Sequence, residues 1–232
     1  MQFEIDNKKA IANRGNLFRL KQVMRRAEAG EPVKVGFIGG SITMGCLATE
    51  PELCYAYRVY EWWQEKFPKT EVSYINAGIG ATTSQFAAAR VEKDLLDQKP
   101  DVVFVEFSVN DDANEFFMET YESLIRKIYT FDQNTAIIII NCVRYDDGGS
   151  AEVWHAKVAR YYELPQISMQ RSIYPEVAAG RISAEEITAD YLHPNDIGHK
   201  LVAGVIESFL EEVYTEREQK EAEAEEKAPL TE

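Results

Sequence analysis

"DVVFVEF", residues 101–107, and "AIIIINC", residues 136–142, are apolar at nearly every position. A strand with one solvated face alternates apolar and polar residues, whereas a strand that is buried on both faces reads as a continuous apolar run. Both faces are buried when helices cover the two sides of a parallel sheet. These two stretches therefore predict an α/β protein with a central parallel sheet.

The remaining apolar patterns alternate along the chain in the same way. Strands are predicted at 33–38, 71–76, 101–107, 135–142 and 165–169, and helices at 16–29, 55–67, 82–97, 114–131, 151–161 and 195–213. Between residue 169 and residue 190, proline and glycine interrupt the pattern, and no regular element is predicted there. Strands alternating with helices predict a three-layer α/β/α sandwich with right-handed crossovers.

The net charge of the chain limits the classes of partner that it can bind. The formal net charge is −14 over 232 residues, which disfavours nucleic acid and anionic membranes because both are polyanions. The N-terminus lacks the apolar core of a signal peptide, and the three cysteines are widely spaced without a zinc-binding pattern. We expect reduced thiols, no metal and a cytoplasmic location.

The last twenty residues differ from the rest in composition. Residues 211–232 hold nine glutamates against three basic residues, a charge run typical of a frayed helix or a solvated linker. We therefore predict one folded domain over residues 1–212 and an acidic tail or linker over 213–232. Whether the tail leads to another domain is left open at this point.

The segments that follow the strands carry the candidate chemistry, because open parallel sheets bind ligands at the carboxyl ends of their strands. The first strand is followed by Gly39, Gly40 and Ser41, the second by residues 76–81, and the third by residues 108–111. Glycines before a serine are compatible with a simple turn. They are also compatible with the presentation of a nucleophile, so the surrounding motifs have to decide.

Three phosphate or hydrolase motifs fit poorly. Gly78 and Gly80 follow a strand, but Thr83 stands where a dinucleotide-binding loop has its third glycine. No G-K-[ST] sequence follows the glycines at 39 and 40, which excludes a Walker-type loop. The nucleophile elbow G-x-S-x-G nearly fits residues 39–43, but Thr43 replaces the final glycine.

A nucleophilic serine needs a base, and the chain has three histidines. His155 and His199 lie within helical patterns and are interpreted as packing or surface residues. His193 lies in "ADYLHPND", three residues after Asp190. A catalytic imidazole needs a carboxylate on its second nitrogen, and this spacing can supply one locally. The alternative is a loop at a helix entry in which the aspartate acts as a cap.

Acyl transfer also requires donors for the oxyanion. Candidate donors are the amide of Ser41, an amide from the turn at Gly80 and Ala81, and the side chain of Asn110. The alternative role of Asn110 is that of a loop cap.

The four segments, taken in order, resemble the motif blocks of the SGNH (GDSL-type) hydrolases. They are G-x-S near the start, an N-x-G turn after the second strand, x-x-N-D after the third, and D-x-x-H near the end, and they span residues 33 to about 200. The resemblance implies a flavodoxin-like SGNH hydrolase domain. It further implies that Ser41 is the nucleophile, His193 the base and Asp190 its orienting carboxylate, with an oxyanion hole from the Ser41 amide, the block-two turn and Asn110.

Three positions depart from the family pattern. Gly40 stands where the family often has aspartate, Ser108 where it has glycine, and Ala81 where a glycine is usual. The last difference leaves open whether Gly80 or Ala81 donates to the oxyanion.

The resemblance also implies an activity, hydrolysis of carboxylic esters through an acyl-serine without metal or cofactor. The G-G-S-I-T variant is most similar to bacterial carbohydrate acetyl esterases, so an acetylated plant polysaccharide or oligosaccharide is the expected substrate. The alternatives are a lysophospholipase or thioesterase acting on lipids, and a non-catalytic carbohydrate-binding domain of the same fold. For a chain of this kind, the acidic tail is also a candidate linker to a further carbohydrate-binding domain. Tyr55, Tyr57, Tyr145 and Trp154 are weak candidates for stacking on a sugar ring.

Overall fold

The structure, a computed structural model, describes residues 3–226, with side chains described up to residue 219. Its strands are β1 (Ile11–Asn13), β2 (Val33–Gly39), β3 (Val72–Gly78), β4 (Val102–Glu106), β5 (Ala136–Asn141) and β6 (Gln166–Ser168). Its α-helices are α1 (Phe18–Glu28), α2 (Ser41–Met44), α3 (Tyr55–Lys66), α4 (Ser84–Asp94), α5 (Glu115–Phe131), α6 (Glu152–Tyr161), α7 (Met169–Ala178), α8 (Ala184–Ile187) and α9 (Asp196–Glu226).

The strands form a single mixed sheet in the order β1-β6-β5-β4-β2-β3. The five strands β2 to β6 are parallel to one another, which confirms the predicted parallel centre of an α/β sandwich. The edge strand β1 pairs with β6 in the antiparallel direction and was not predicted. It has only three residues, too few to show a periodic pattern.

Helices bury both faces of the sheet. Side chains of β2, β4 and β5 that point to one side pack with α1, α3 and α9, and those that point to the other side pack with α4, α5 and α6. All five residues of β4 and all six of β5 are buried. This two-sided burial explains the continuous apolar runs in the sequence.

Helices α2, α7 and α8 were not predicted, and α9 is longer than predicted. Helix α7 occupies part of the stretch for which no element was predicted, because Pro175 inside it reads as a helix breaker. The side chain of Ser168 caps its first turn by accepting a hydrogen bond from the Arg171 amide at 3.2 Å. Tertiary packing of the buried Met169 and Ile173 then outweighs the cost of the proline.

Helix α9 continues past its predicted end at residue 213 to Glu226. Val213 is fully buried, and the side chain of Arg217 is only 1% exposed and pairs with Glu28 of α1 at 2.6 Å. The predicted domain boundary after residue 212 therefore lies inside a continuous helix and stays a prediction. The last six residues of the predicted tail lie outside the described residues. Within residues 3–226, no helix has both the length and the apolar character needed to cross a membrane.

Candidate active site

Three strand ends lie in register at one edge of the sheet. In the parallel ladders, Gly39 of β2 is opposite Gly78 of β3 and also opposite Glu106 of β4. The segments that leave these three strands therefore emerge side by side. This places the G-x-S, N-x-G and x-x-N-D blocks on one rim, as expected from the sequence.

The glycines let the serine-bearing turn pack directly onto the strand ends. A Cβ at Gly39 would stand 2.0 Å from Oγ1 of Thr43, and a Cβ at Gly78 would stand 2.4 Å from the Met44 amide nitrogen. Asn76 fixes this contact, because its Nδ2 donates to the Thr43 carbonyl at 2.8 Å and its Oδ1 accepts from the Gly78 amide at 2.9 Å. The absence of side chains at these glycines thus lets the short helix α2, whose first residue is Ser41, pack against the strand ends.

Ser41, His193 and Asp190 form one chain of hydrogen bonds. The Ser41 Oγ lies 2.8 Å from Nε2 of His193, and Nδ1 of the same ring lies 2.6 Å from Oδ2 of Asp190. The carboxylate can only accept, so the pattern assigns the Nδ1 proton to the bond with Asp190. Nε2 is then the unprotonated nitrogen and can accept the Ser41 proton.

Asp190 is held by the loop that carries the histidine. Its Oδ1 accepts from the amides of His193 at 2.7 Å and Leu192 at 3.0 Å, and from the Thr188 hydroxyl at 3.2 Å. Partial burial favours the neutral acid, but the hydrogen bonds from His193 and the two amides outweigh it and lower the pKa of Asp190 to about 2. The Asp190 side chain is therefore a charged carboxylate at neutral pH.

The histidine loop is fastened to the serine loop. Asn195 caps the start of α9, since its Oδ1 accepts from the amides of Ile197 at 3.0 Å and Gly198 at 3.1 Å. Asp196 accepts from both the amide and the hydroxyl of Thr49 at 2.8 Å. The loop after α2 and the start of α9 are thereby joined close to the pair of Ser41 and His193.

The predicted oxyanion donors lie around the serine. The position of a Cβ on Gly80 is 3.8 Å from Cβ of Ser41, and the carboxamide of Asn110 lies against Gly40. Within residues 3–226, no hydrogen bond runs from the amides of Ser41, Gly80 or Ala81 to another protein group. The geometry leaves open whether Gly80 or Ala81 donates.

The other two departures from the family pattern have local explanations. Ala81 has a φ of +58°, the left-handed region in which glycine is the usual residue. The Ser108 hydroxyl, fully buried, lies 2.9 Å from the Cys142 carbonyl and 3.1 Å from Oε1 of Glu106. The buried hydroxyl of a serine at this position therefore has polar partners.

The two remaining histidines are buried within helices α6 and α9. His199 accepts from the Tyr55 amide at 3.3 Å and faces the Cys46 carbonyl at 3.2 Å, and burial lowers its pKa to about 4. His155 lies 3.2 Å from Oδ2 of Asp111. Neither is hydrogen-bonded to Ser41.

The structure changes the set of aromatic residues that are candidates for sugar binding. Tyr55 and Tyr145 are buried and cannot stack on a substrate. Sequence reasoning missed Tyr191, which follows Asp190 directly, has a φ of +61° and is 44% exposed. Its only sequence signal is an aromatic residue inside the D-x-x-H block.

The fold and this site define a class of protein. The sequence profile of the GDSL-like lipase/acylhydrolase family matches residues 37–201, and the chain belongs to this family of carboxylic ester hydrolases. The resemblance drawn from the four blocks is confirmed.

Individual proteins that are similar to this chain are esterases that act on acetylated carbohydrates. The chain is 24% identical over 212 residues to an acetylxylan esterase of Geobacillus stearothermophilus, covering 79% of this chain and 95% of that protein. It is 57% identical, with a TM-score of 0.91, to the crystal structure of a two-domain esterase active on acetylated mannans, co-crystallised with mannopentaose. That match covers 92% of this chain and 58% of the two-domain protein, so this chain spans little more than half of that relative's length. An acetyl-xylooligosaccharide esterase variant from Geobacillus, 21% identical with a TM-score of 0.65, shares the fold over 79% of this chain and 96% of its own.

Proposed function

We propose that this chain is a serine esterase that removes acetyl groups from carbohydrates, with acetylated mannan oligosaccharides as the preferred substrate class. The observation that carries the proposal is the unbroken hydrogen-bond chain from Ser41 through His193 to Asp190. An intact set of nucleophile, base and orienting carboxylate argues against a non-catalytic binding domain. The mannan preference draws on the two-domain esterase, which is similar in sequence across 92% of this chain.

The reaction proceeds in two steps. Oγ of Ser41 attacks the carbonyl carbon of the acetyl ester while Nε2 of His193 takes the hydroxyl proton. The sugar oxygen then leaves with that proton, and an acetyl-serine remains. In the second step a water molecule gives a proton to His193 and its oxygen attacks the acetyl-serine. The bond from the acetyl carbon to Ser41 Oγ then breaks as His193 returns the proton to that oxygen, and acetic acid leaves and ionises to acetate. Asp190 holds the imidazole in the required tautomer and stabilises its charged form.

Each step passes through a tetrahedral oxyanion that needs fixed donors. We assign these to the Ser41 amide, to the amide of Gly80 or Ala81, and to Nδ2 of Asn110. Donors that are in place before charge develops stabilise the transition state more than the bound ester. No metal or cofactor takes part in this scheme.

Two wider expectations stay predictions. The two-domain organisation of the mannan esterase supports a further domain beyond the acidic tail, and the carbohydrate-binding role of that domain rests on the sequence-based expectation alone. The cytoplasmic location rests on the sequence alone.

The test is release of acetate from acetylated mannan oligosaccharides by the wild type, by Ser41→Ala and by Ser123→Ala. Ser123 is an exposed serine on α5 and serves as the matched control. We expect Ser41→Ala to lower kcat by a factor on the order of 10³ or more with an unchanged circular dichroism spectrum. Wild-type activity in a folded Ser41→Ala protein would overturn the mechanism, and a wild type that releases no acetate would overturn the substrate class.

A further inference from the structure

A second pair of aspartate and histidine lies behind the rim of the candidate active site. The side chains of Asp111 and His155 are 0% and 1% exposed, and Oδ2 of Asp111 lies 3.2 Å from Nε2 of His155. Neither residue touches Ser41 or His193 in the hydrogen-bond network of the described residues. The pair is therefore outside the catalytic hydrogen-bond chain.

The protein fixes both the tautomer and the plane of the His155 ring. Nε2 of Gln166 donates to Oδ1 of Asn141 at 2.7 Å, so Nδ2 of Asn141 is the atom that donates to Nδ1 of His155 at 3.2 Å. The ring proton must then sit on Nε2, where it is donated to Asp111. The ring also stacks on Tyr121, with the centroids 3.6 Å apart and the planes within 8°.

Asp111 connects the two segments that carry the oxyanion donors. It follows Asn110 directly in the chain. Its other oxygen, Oδ1, accepts from the amide of Ser84 at 2.9 Å. Ser84 is buried and begins α4, three residues after Ala81. One carboxylate thus ties the loop after β4 to the end of the turn that follows β3.

We propose that Asp111 and His155 are positioning residues, which hold Asn110 and the Gly80–Ala81 turn at the separation that an oxyanion requires. The inference rests on the proposed function, because it assumes that these groups bind the oxyanion. His155 presents a single N–H to Asp111, and Ser84 presents one amide from the other side. The carboxylate is therefore held in one orientation, and so is the backbone of the residue before it.

The test separates positioning from general stability by a double-mutant cycle on kcat. Asp111→Asn keeps an oxygen that accepts from the Ser84 amide. Its new amide nitrogen, however, is a donor and faces Nε2–H of His155, which is also a donor. With 4-nitrophenyl acetate as the substrate, we expect kcat to fall by a factor on the order of 10² while KM stays near the wild-type value. In an Asn110→Ala background the same substitution should lower kcat by a smaller factor, because one of the two donors it positions is already gone and only the donor of the Gly80–Ala81 turn can still be displaced.

A second variant and a control complete the design. His155→Gln retains an N–H donor for Asp111 and should keep more activity than His155→Ala, and it replaces Asp111→Asn in the cycle if that variant does not fold. Ile128→Val removes one buried methyl group from α5 and should lower Tm without changing kcat. A fall of kcat by equal factors in both backgrounds, or an unchanged kcat in a folded variant, would overturn the positioning role. The proposed function would survive that result, since it depends separately on the loss of turnover in Ser41→Ala.

Discussion

The carboxamide of Asn110 occupies the space where any other residue at position 40 would carry its side chain. A Cβ built on Gly40 would stand 2.3 Å from Oδ1 of Asn110 and 2.8 Å from its carboxamide carbon. Oδ1 is buried without a hydrogen-bond partner among the described residues. In this chain a glycine before the nucleophile therefore determines where Asn110 can lie, although the family often has aspartate there.

We predict that Gly40→Ala lowers kcat by moving Asn110. The added methyl group meets the end of a side chain, so Asn110 should shift while the fold persists. Loss of one oxyanion donor costs about 10² to 10³ in kcat, and the loss in Gly40→Ala should approach that of Asn110→Ala. The measurement is kcat and KM of both single variants and of the double variant on 4-nitrophenyl acetate.

Gly204→Ala is the control, because a Cβ at this position in α9 meets nothing within 4 Å. Its kcat should equal that of the wild type. If Gly40→Ala keeps full kcat while Asn110→Ala loses it, then Asn110 reaches the oxyanion without help from the glycine.

The second prediction distinguishes two histidines that lie six residues apart. His193→Ala should lower kcat by a factor on the order of 10³ or more, since it removes the base that accepts the Ser41 proton. Asp190→Asn should also lower kcat, though less, because the base remains but its tautomer is no longer enforced. Steady-state kinetics on a small acetyl ester measure both.

His199→Gln is the comparison. His199 is buried and hydrogen-bonded to the loop after α2, so its loss should lower Tm but leave most of the turnover at temperatures below unfolding. If His199 proved essential and His193 dispensable, the D-x-x-H assignment would be wrong.

The central strands and the contact between Asp190 and His193 were predictable, for local reasons. The runs at 101–107 and 136–142 match β4 and β5 closely, because two-sided burial leaves a continuous apolar signature. Asp190 and His193 were predictable because the orienting contact spans only three residues and is encoded in one short motif.

What escaped prediction depends on contacts between distant parts of the chain. His155 reads as one more residue of an amphipathic helix, yet its partner Asp111 is 44 residues away. Helix α7 depends on tertiary packing that offsets Pro175, and no periodicity over a few residues reports such packing. The choice between Gly80 and Ala81 depends on a bound oxyanion, which local sequence does not encode.

The third prediction concerns Glu106, a fully buried carboxyl at the end of β4. Burial is the main cause that raises its pKa from 4.5 to about 7, partly offset by hydrogen bonds from Ser108, and its Oε2 has no partner among the described residues. Between these two values the folded protein holds a proton that the unfolded chain has lost. The free energy of unfolding therefore falls as the pH rises from about 4.5 to 7, and the full penalty applies above that range. Glu106→Gln removes the charge, so the Tm of the variant relative to the wild type should be higher at pH 8 than at pH 5.

Thermal unfolding of both proteins at several pH values measures this difference. A Tm difference that is the same at every pH would reflect only the unpaired amide of the introduced glutamine. The decisive quantity is therefore the change with pH in the Tm difference between Glu106→Gln and the wild type. Glu119→Gln, an exposed position on α5, should show no such dependence. A Tm difference that is flat or shrinks from pH 5 to pH 8 would show that Glu106 is already charged in the folded protein at pH 5.

The fourth prediction assigns substrate binding to Tyr191. Its left-handed backbone costs about 1–2 kcal/mol and is maintained by a hydrogen bond from the Tyr145 amide to its carbonyl at 2.7 Å. An exposed aromatic ring beside Asp190 can stack on a sugar ring near the scissile ester. Tyr191→Phe should bind oligosaccharide as the wild type does, whereas Tyr191→Ala should raise KM by about 2- to 10-fold, the equivalent of 0.5–1.5 kcal/mol.

The discriminating measurement compares the effect of each substitution on the oligosaccharide substrate with its effect on 4-nitrophenyl acetate. KM for acetylated mannan oligosaccharide should rise in Tyr191→Ala, while kcat/KM for 4-nitrophenyl acetate should stay at the wild-type value. Tyr161→Ala, which removes an 80% exposed tyrosine from α6, controls for loss of surface aromatics. Equal losses on both substrates would indicate that Tyr191 supports the triad loop rather than the sugar.

The last prediction concerns the length of the acyl chain. Cε of Met44 lies 3.4 Å from the Cβ position of Gly80, and Cβ of Ser41 lies 3.8 Å from the same point. The methionine side chain and the nucleophile thus flank the same point on the Gly80 turn. A long acyl chain requires an extended apolar trough, and a pocket rejects extra methylene groups by steric closure.

We expect kcat/KM to fall from the acetyl to the butyryl to the octanoyl ester of 4-nitrophenol. Met44→Ala should raise the butyryl-to-acetyl ratio by about 10-fold or more, and Phe116→Ala, an exposed residue of α5, should leave it unchanged. A kcat/KM that climbs from acetyl to octanoyl, with no acetate released from acetylated mannan oligosaccharides, would instead assign the chain to the lipid esterases of its family.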